Sequence, residues 1–197
     1  MIQPLVKIFD APLIDKDEVL RYARSSSRDE LSVELVNEVV ALAENAFSYS
    51  VCYAELPFSS DGEVCDFFAF KVKSKNLSRC LEGTSGVLVF AATVGVGIDR
   101  LISKYTRIAP SKALMLDALG AERIEALCDA FCDEYKKEKN VLLTPRFSAG
   151  YGDCPLIAQR HIFDLLNCQK SIGLTLNDSM LMSPTKSVTA FVGIKEK

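Results

Sequence analysis

A continuous apolar run from Gly86 to Val94 places the strongest constraint on what this chain can fold into. It reads Gly-Val-Leu-Val-Phe-Ala-Ala-Thr-Val and lacks the polar–apolar alternation of a strand with one face in water. Such a run is typical of a strand that is buried on both faces. It therefore predicts a central strand that is covered by other elements on either side.

Helical periodicity is strongest from Pro110 to about Glu138, where apolar residues recur mostly three and four positions apart and Gly120 bends or divides the helix. Ser27 and Glu30 form a capping-box pair ahead of another helix. Its expected apolar face is Leu31, Leu35, Val39, Leu42 and Ala46. Shorter helices are expected at 15–24, 75–82, 97–107 and 156–167, and strands at 5–9, 49–57, 64–73, 141–145, 172–176 and 187–194.

These elements predict an α+β fold with a mixed, mainly antiparallel twisted sheet flanked by helices. Ser-Ser-Asp-Gly at 59–62 is expected to turn a hairpin between the strands at 49–57 and 64–73. The chain of 197 residues is long enough for a single domain spanning 1–197. Residues 1–25 belong to its core or form an N-terminal arm or small cap.

Composition narrows the classes of function. A net charge of −3 without a basic run argues against nucleic acid as the main partner. No apolar run approaches the roughly 20 residues of a membrane span, so no membrane association is expected. The seven cysteines are odd in number and irregularly spaced, and no signal-peptide pattern precedes them. Reduced, buried thiols in a cytoplasmic protein are therefore expected.

The glycines after the apolar run partly match the pattern of a dinucleotide-binding site. Gly95-Val-Gly97 follows a strand and precedes a helix, but the fingerprint requires glycine where Arg100 stands, and no ribose-binding acid follows. A tight strand-to-helix turn is favoured. Whether this turn borders a ligand pocket stays open.

Metal sites are not expected. Cys128 and Cys132 lie one helical turn apart, but the position that would complete a Cys-x-x-x-Cys-x-x-Cys motif is Tyr135. His161 is the only histidine, and no other ligand types surround it in the sequence. Cys154 has no dedicated base nearby and is expected to be buried, so no catalytic residue is assigned.

The clearest ligand signal is the stretch from Arg146 to Pro155, Arg-Phe-Ser-Ala-Gly-Tyr-Gly-Asp-Cys-Pro. Its glycines and proline prevent a regular helix and allow the backbone to approach a ligand closely. Arg146 offers parallel donors to a carboxylate, and Tyr151 offers a ring that packs on a ligand or faces a cation. Ordinary roles remain open, a surface ion pair for Arg146 and a half-buried loop aromatic for Tyr151.

This Arg-x-x-x-Gly-Tyr core, followed by Cys-Pro and a helix, resembles the activation domain of cobalamin-dependent methionine synthase. Ser179-Met-Leu-Met-Ser-Pro-Thr-Lys-Ser-Val188 is similar to that family's later Ser-x-x-Met-x-Pro-x-x-Ser-Val segment, in the same order and spacing. In that family the loop holds S-adenosylmethionine. The resemblance thus implies a ligand site at Arg146, Ser148, Ala149, Gly150 and Tyr151, with Met180, Met182 and Pro184 shaping the pocket or a partner surface.

The function that the resemblance implies is that of a stand-alone reactivation module. It would bind S-adenosylmethionine and support reductive methylation of cob(II)alamin on a separate cobalamin-dependent methionine synthase or related corrinoid protein, with a flavodoxin-like reductant. The chain would then be a component of a methyltransferase rather than an independent enzyme. A non-catalytic docking or scaffold subunit without ligand binding is the alternative. An independent methyltransferase is least favoured, because no general base or second substrate motif is present.

The sequence departs from the family pattern in several places. No equivalent can be placed for the family's acidic ligand-binding residue in the N-terminal part, nor for its tail with adjacent tyrosines beyond the last strand. Asp178-Ser179 and Thr189-Ala190 stand where the family has Glu-Ser and Ser-Gly. Three expectations follow for ligand binding: it is weak, it requires the corrinoid partner, or it has been lost.

Overall fold

The computed structural model describes residues 3–197, which form helices on both sides of an antiparallel sheet. In chain order the elements are β1 (Leu5–Phe9), α1 (Lys16–Tyr22), α2 (Glu30–Leu42), β2 (Tyr49–Leu56), β3 (Ser59–Ser60), β4 (Val64–Asp66), β5 (Lys71–Lys73), α3 (Lys75–Cys80), β6 (Gly86–Thr93), α4 (Gly97–Ile108), α5 (Pro110–Lys139), β7 (Val141–Leu143), α6 (Ala158–Leu166), α7 (Cys168–Ile172), β8 (Thr175–Leu176), β9 (Met182–Ser183) and β10 (Ser187–Glu196).

The main sheet has five strands in the order β1-β2-β6-β10-β7, and every neighbouring pair is antiparallel. The central strand is β6, and on one side it pairs with β2, from Ser50 opposite Thr93 to Leu56 opposite Val87. On its other side β6 pairs with β10, where Ser187 lies opposite Thr93. Two small antiparallel sheets, β3-β4-β5 and β8-β9, accompany the main one. The predicted α+β class, with an antiparallel sheet flanked by helices, is confirmed.

Strand β6 is buried on both faces, as the apolar run predicts. Leu88, Phe90 and Ala92 face a core that includes residues of α1, α2 and α5. The alternate residues of the same strand face a second core with residues of α3, α6 and α7. A run without polar alternation is usual in parallel sheets, but the same burial arises here because helices cover both faces of an antiparallel sheet.

Helix α5 is the longest element and continues without division through Gly120. A Cβ added at Gly120 would lie 2.9 Å from Cγ of Lys186, so glycine leaves room for the aliphatic part of that side chain. The helix begins with Pro110 in its first turn, where a missing N–H costs nothing. It ends at Asn140, which adopts a left-handed conformation with φ of 54°.

The N-terminal segment is held on α5 by a buried ion pair. Arg123 is fully buried beside Glu122, and its guanidinium donates to the carbonyls of Pro12 (2.5 Å) and Leu13 (2.6 Å). The carboxylate of Glu122 accepts from the backbone N–H of Asp15 at 3.1 Å. Asp15 in turn caps α1, as predicted from the sequence. Val19 and Leu20 of that helix are buried in the core.

The predicted start of α2 is wrong, and its predicted apolar face is confirmed only in part, by the buried Val39 and the partly buried Leu35. The helix begins after Asp29 rather than at a Ser27–Glu30 capping box, and Leu31 is 76% exposed. Its buried residues are Val36 and Val39. The segment carries apolar residues on more than one stripe, and packing against α1 and α5 selects the stripe that contains the valines.

The predicted hairpin between 49–57 and 64–73 is also wrong. Residues 64–73 divide into β4 and β5, because the chain turns sharply at Phe67, whose N–H donates to the carbonyl of Phe70 at 3.0 Å. Strand β4 pairs with β3 on one side and with β5 on the other in a separate small sheet, while β2 stays in the main sheet. The predicted strand at 172–176 is shortened to β8, since α7 extends to Ile172 and ends at Gly173.

All seven cysteines lie within the described residues and have unpaired thiols. Six are buried and Cys80 is partly exposed. Within residues 3–197, no helix combines the length and the apolar character that crossing a bilayer requires.

Candidate functional site

A cavity of about 600 Å³ lies between the C-terminal half of α5 and the chain that follows β7. The helix contributes a charged wall and a cysteine, and the chain after β7 contributes the opposite wall. One residue, Val188, comes from β10. The lining consists of Glu125, Asp129, Cys132, Asp133, Lys136, Leu143, Thr144, Pro145, Arg146, Ser148 and Val188.

The acidic wall follows from helical spacing. Glu125, Asp129 and Asp133 are four residues apart, so their side chains lie along one face of α5. Leu127 and Phe131 occupy the opposite, buried face and pack into the core. Burial of these apolar residues thus orients the three carboxylates towards the cavity.

Arg146 is directed into the cavity by its neighbour Phe147, which is joined to β10. The N–H of Phe147 donates to the carbonyl of Phe191 at 2.9 Å, and the N–H of Phe191 donates back at 2.8 Å. Phe147 is buried, so this bridge fixes the backbone next to Arg146. The guanidinium then faces the acidic wall of α5.

The guanidinium of Arg146 forms ion pairs with Asp129 and with Glu125, the latter at 2.7 Å. Burial disfavours its charge, but the hydrogen bond with Asp129 and the nearby carboxylate of Glu125 outweigh this effect and raise the pKa of Arg146. It is therefore a fixed cation at any physiological pH. The ion-pair role that the sequence left open for Arg146 is realised, with partners that belong to the cavity wall.

The charged lining of the cavity is of both signs. Three carboxylates face two cations, Arg146 and Lys136, and Lys136 contacts Asp133 at 2.9 Å. The lining consequently carries a net charge of −1, and Arg146 is one of its two positively charged groups. Such a surface suits a small ligand that carries both a carboxylate and a cationic group.

The other predicted site residues are distributed unevenly. Ser148 lines the cavity, whereas Ala149, Gly150 and Tyr151 do not. Ala149 is partly buried and packs on the core beneath the loop. Gly150 has a φ of 87°, and its N–H donates to the carbonyl of Cys154 at 3.0 Å.

Tyr151 lies on the surface beside the cavity. It is 71% exposed, and its ring meets that of Phe147 edge to face with centroids 5.7 Å apart. The half-buried position considered from the sequence is therefore wrong. Cys154 is buried as expected, and burial raises the pKa of its thiol to about 11.

The second sequence block reaches the cavity only through its last residue. Val188 is part of the lining, and the neighbouring Ser187 hydroxyl donates to the Thr93 hydroxyl at 2.8 Å. Met180, Met182 and Pro184, which were expected to shape a pocket or partner surface, lie outside this lining.

The remaining candidates have structural roles. A Cβ at Gly97 would lie 2.2 Å from the carbonyl oxygen of Ala46, so this glycine permits a close approach, and Gly95 and Gly97 do not border the cavity. Burial raises the pKa of the thiols of Cys128 and Cys132. His161 stacks on Phe70 at 5.1 Å. In the part of the chain that the structure describes, no cluster of three or more potential metal ligands occurs.

Sequence reasoning missed the acidic wall. Glu125, Asp129 and Asp133 carry a detectable signal, since they repeat at intervals of four residues in a segment predicted to be helical. Thr144 and Pro145 carry no such signal and enter the site only because they precede Arg146.

A family model described as vitamin B12 dependent methionine synthase, activation domain, matches residues 81–197. The match covers more than half of the chain and contains every residue of the cavity lining. The chain belongs to this activation domain family. The family that the sequence resemblance predicted is thereby confirmed.

The activation domain fold extends beyond the matched residues. The crystal structure of the MetH reactivation domain bound to AdoHcy superposes with a TM-score of 0.75 and 15% sequence identity. The alignment covers 100% of this chain and 79% of that chain, so residues ahead of position 81 share the fold as well. No curated protein sequence matches the chain with significance.

Proposed function

We propose that the chain binds S-adenosylmethionine in the cavity at Arg146 and supports reductive methylation of cob(II)alamin on a separate cobalamin-dependent methionine synthase or related corrinoid protein. One observation carries this proposal. The arginine of the family's ligand loop faces a cavity of about 600 Å³ whose lining holds both signs of charge. Membership of the activation domain family supports it.

The chemistry of the ligand fits the lining. S-adenosylmethionine carries a carboxylate, an α-ammonium group and a sulfonium. Arg146 is the proposed partner of the carboxylate, because a guanidinium keeps further N–H donors beyond those that contact Asp129 and Glu125. The carboxylates of α5 are the proposed partners of the two cationic groups. The related reactivation domain was solved with AdoHcy, a nucleoside of the same shape without the transferable methyl group.

In this proposal the chain positions the methyl donor and shields it from water. A cobalamin held by the partner would supply the cobalt centre for methyl transfer, a flavodoxin-like protein would supply the electron, and S-adenosylhomocysteine would be left in the cavity. The residues of the cavity bind and orient, so the chain contributes to a methyltransferase rather than acting as one alone. A cytoplasmic location is part of the proposal, because seven unpaired thiols suit a reducing compartment.

A second candidate is a docking or scaffold subunit that keeps the fold without binding the ligand. Two observations favour it. Arg146 already has two carboxylate partners within the chain, and Tyr151 lies on the surface rather than in the cavity. A ligand carboxylate would have to share or displace those partners.

Calorimetric titration separates the two candidates. S-adenosylmethionine is titrated into the wild type, Arg146→Ala and Arg160→Ala, each with and without a cob(II)alamin-loaded partner. Arg160 is the control, since its guanidinium forms an ion pair with the exposed Asp178 at 3.9 Å and lies outside the cavity. We expect binding by the wild type and Arg160→Ala, and at least tenfold weaker binding by Arg146→Ala, because its charge-assisted hydrogen bonds are lost.

Each other outcome has a defined meaning. Binding only in the presence of the partner indicates a composite site to which both proteins contribute. Equal binding by all three variants places the ligand elsewhere on the chain. No binding in any mixture, with circular dichroism showing folded protein, favours the scaffold function.

A further inference from the structure

The loop after Arg146 is anchored at its far end by Asp153. The carboxylate of Asp153 accepts hydrogen bonds from the Ser74 hydroxyl (2.5 Å), the Lys75 N–H (2.8 Å) and the Asn76 N–H (3.1 Å). These groups form the N-terminus of α3, far away in the sequence. Their N–H groups have no partner within the helix, so Asp153 satisfies them from outside.

The anchor is built into the core on the helix side. Ser74 is the N-cap of α3, it is buried, and its hydroxyl also accepts from the Leu77 N–H at 3.0 Å. The same hydroxyl therefore connects the helix cap to the loop. The Ser74 hydroxyl and the backbone N–H groups lower the pKa of Asp153, so the carboxylate is charged throughout the physiological range.

The loop backbone packs closely against this anchor. Gly152 has a φ of 58°, and a Cβ there would lie 2.3 Å from Nδ2 of Asn76. The next residue but one, Cys154, is buried, and its N–H donates to the carbonyl of Tyr151 at 3.0 Å. The N–H of Tyr151 donates to the carbonyl of Ser148 at 3.2 Å.

Tyr151 lies between two fixed points. On one side Phe147 is bridged to Phe191 of β10, and on the other Asp153 is bonded to α3. Asp153 itself does not line the cavity, so any influence on a ligand has to pass through the loop. A loop held in one conformation loses less conformational entropy when a ligand binds.

We infer that Asp153 is a positioning residue for the ligand loop: its bonds to α3 hold the backbone at 148–152, and with it Tyr151, beside the cavity. The part of this inference that concerns the ligand rests on the proposed binding of S-adenosylmethionine. The part that concerns the loop stands on the contacts of Asp153 alone. Each part has its own experiment.

Hydrogen exchange tests the loop without any ligand. The backbone amides of 148–154 are followed in the wild type, Asp153→Ala, Asp153→Asn and Asp61→Ala. Asp61 is a matched control, because it is exposed and its carboxylate accepts from the N–H groups of Glu63 and Val64 in a turn outside the cavity. We expect these amides to exchange about tenfold faster in Asp153→Ala, less so in Asp153→Asn, which keeps an acceptor oxygen, and unchanged in Asp61→Ala.

Unchanged exchange in Asp153→Ala overturns the inference, whatever the ligand does. A rise of equal size in Asp61→Ala also overturns it, because the effect would then be a general loss of stability.

Calorimetry tests the ligand. We expect Asp153→Ala to bind S-adenosylmethionine about fivefold to tenfold more weakly than the wild type, and Asp61→Ala to bind it equally well. In a Tyr151→Ala background, Asp153→Ala should cause little further loss, because both changes remove the same contribution. Fully additive losses contradict positioning through Tyr151. If the wild type binds no S-adenosylmethionine either alone or with the cob(II)alamin-loaded partner, the proposed function fails, while the exchange data still decide the role of Asp153.

Discussion

Oε2 of Glu125 lies 2.7 Å from Nη2 of Arg146, and this contact joins the longest helix to the loop that follows β7. The two residues form opposite walls of the same cavity. The arginine of the family motif thus sits in an acidic environment that its own chain supplies. A ligand at Arg146 has to match that environment as well as the guanidinium.

Replacing Glu125 by Gln should change ligand selectivity. The substitution keeps the shape and a hydrogen-bond acceptor but removes a negative charge from the cavity wall. We expect about threefold to tenfold weaker binding of S-adenosylmethionine, which carries the sulfonium, and little change for S-adenosylhomocysteine, which does not. Calorimetric titration of both ligands into Glu125→Gln measures the ratio.

Glu134→Gln is the matched control for that experiment. Glu134 also lies on α5, its side chain is 43% exposed like that of Glu125, and it is ion-paired with Lys7 outside the cavity. It should leave both affinities unchanged. Equal losses for the two ligands in Glu125→Gln would instead mean that Glu125 acts on what the ligands share, by holding Arg146 or by contacting the α-ammonium group, and not by contacting the sulfonium.

Removing the buried guanidinium of Arg123 should destabilise the fold strongly. In Arg123→Met, Glu122 keeps its charge in a buried position without its partner, and the carbonyls of Pro12 and Leu13 lose their donors. We expect a loss of about 3–5 kcal/mol in the free energy of unfolding. Urea denaturation followed by circular dichroism measures it.

The control for this prediction is Arg21→Met. Arg21 contacts Glu18 at 2.6 Å in an exposed ion pair. Arg21→Met should therefore cause no measurable change in the free energy of unfolding. A loss below about 1 kcal/mol in Arg123→Met would show that water or a rearranged side chain compensates Glu122.

Alanine substitutions at Gly152 and at Gly62 distinguish the cost of backbone strain from the cost of a steric clash. Both have positive φ angles, so alanine at either site should destabilise the protein by about 1 kcal/mol. Only at Gly152 does the added Cβ meet another atom, Nδ2 of Asn76, while nothing lies within 4 Å at Gly62. We expect Gly152→Ala to be the more destabilising in thermal unfolding.

Combining Gly152→Ala with Asn76→Ala should remove the difference between the two glycine sites, because the clashing amide is gone. If the double variant remains as unstable as Gly152→Ala, the extra cost arises from the loop backbone and not from Asn76.

Stability should decrease at alkaline pH because of Cys154. Burial raises the pKa of this thiol to about 11, above its ordinary value of about 8.5. The folded state therefore keeps a proton that the unfolded chain releases, and this contribution is complete below pH of about 8.5 and declines as the pH rises towards 11. Unfolding free energies at neutral and alkaline pH should differ less in Cys154→Ala than in the wild type.

Cys80→Ala provides the comparison, since Cys80 is the partly exposed thiol. Its alkaline decline should equal that of the wild type. An equally steep decline in Cys154→Ala would assign the effect to other groups, of which buried Cys65, with a pKa of about 11, is the first candidate.

Long elements with one dominant pattern were predictable from the sequence. The run at 86–94 and the periodicity from Pro110 onwards correspond to β6 and α5, because burial on both faces and a helix of 30 residues leave strong signals. Weaker sequence patterns did not predict which residues are buried. In α2 more than one apolar stripe was available, and only packing against neighbouring helices decides which is buried.

The candidate site was predictable in part for a related reason. Arg146 stands in a local motif, so its importance is visible in the sequence. Glu125 and Asp129 belong to a face of α5 that resembles any solvated helix surface until β7 and the following chain are placed against it. Tyr151 shares the motif, but the motif does not show its exposure, and the Asp153 contact beside it is made with α3, which is distant in sequence.

The bridge between Phe147 and Phe191 bears on which surface of the fold can change in relatives. It fixes the Arg146 loop directly to β10, and residues 156–178, which lie between the two sequence blocks, are outside the cavity lining. Substitutions of exposed side chains in that segment would therefore alter the outer surface while leaving Arg146 opposite α5. Relatives can accordingly diverge there and still keep one geometry around the arginine.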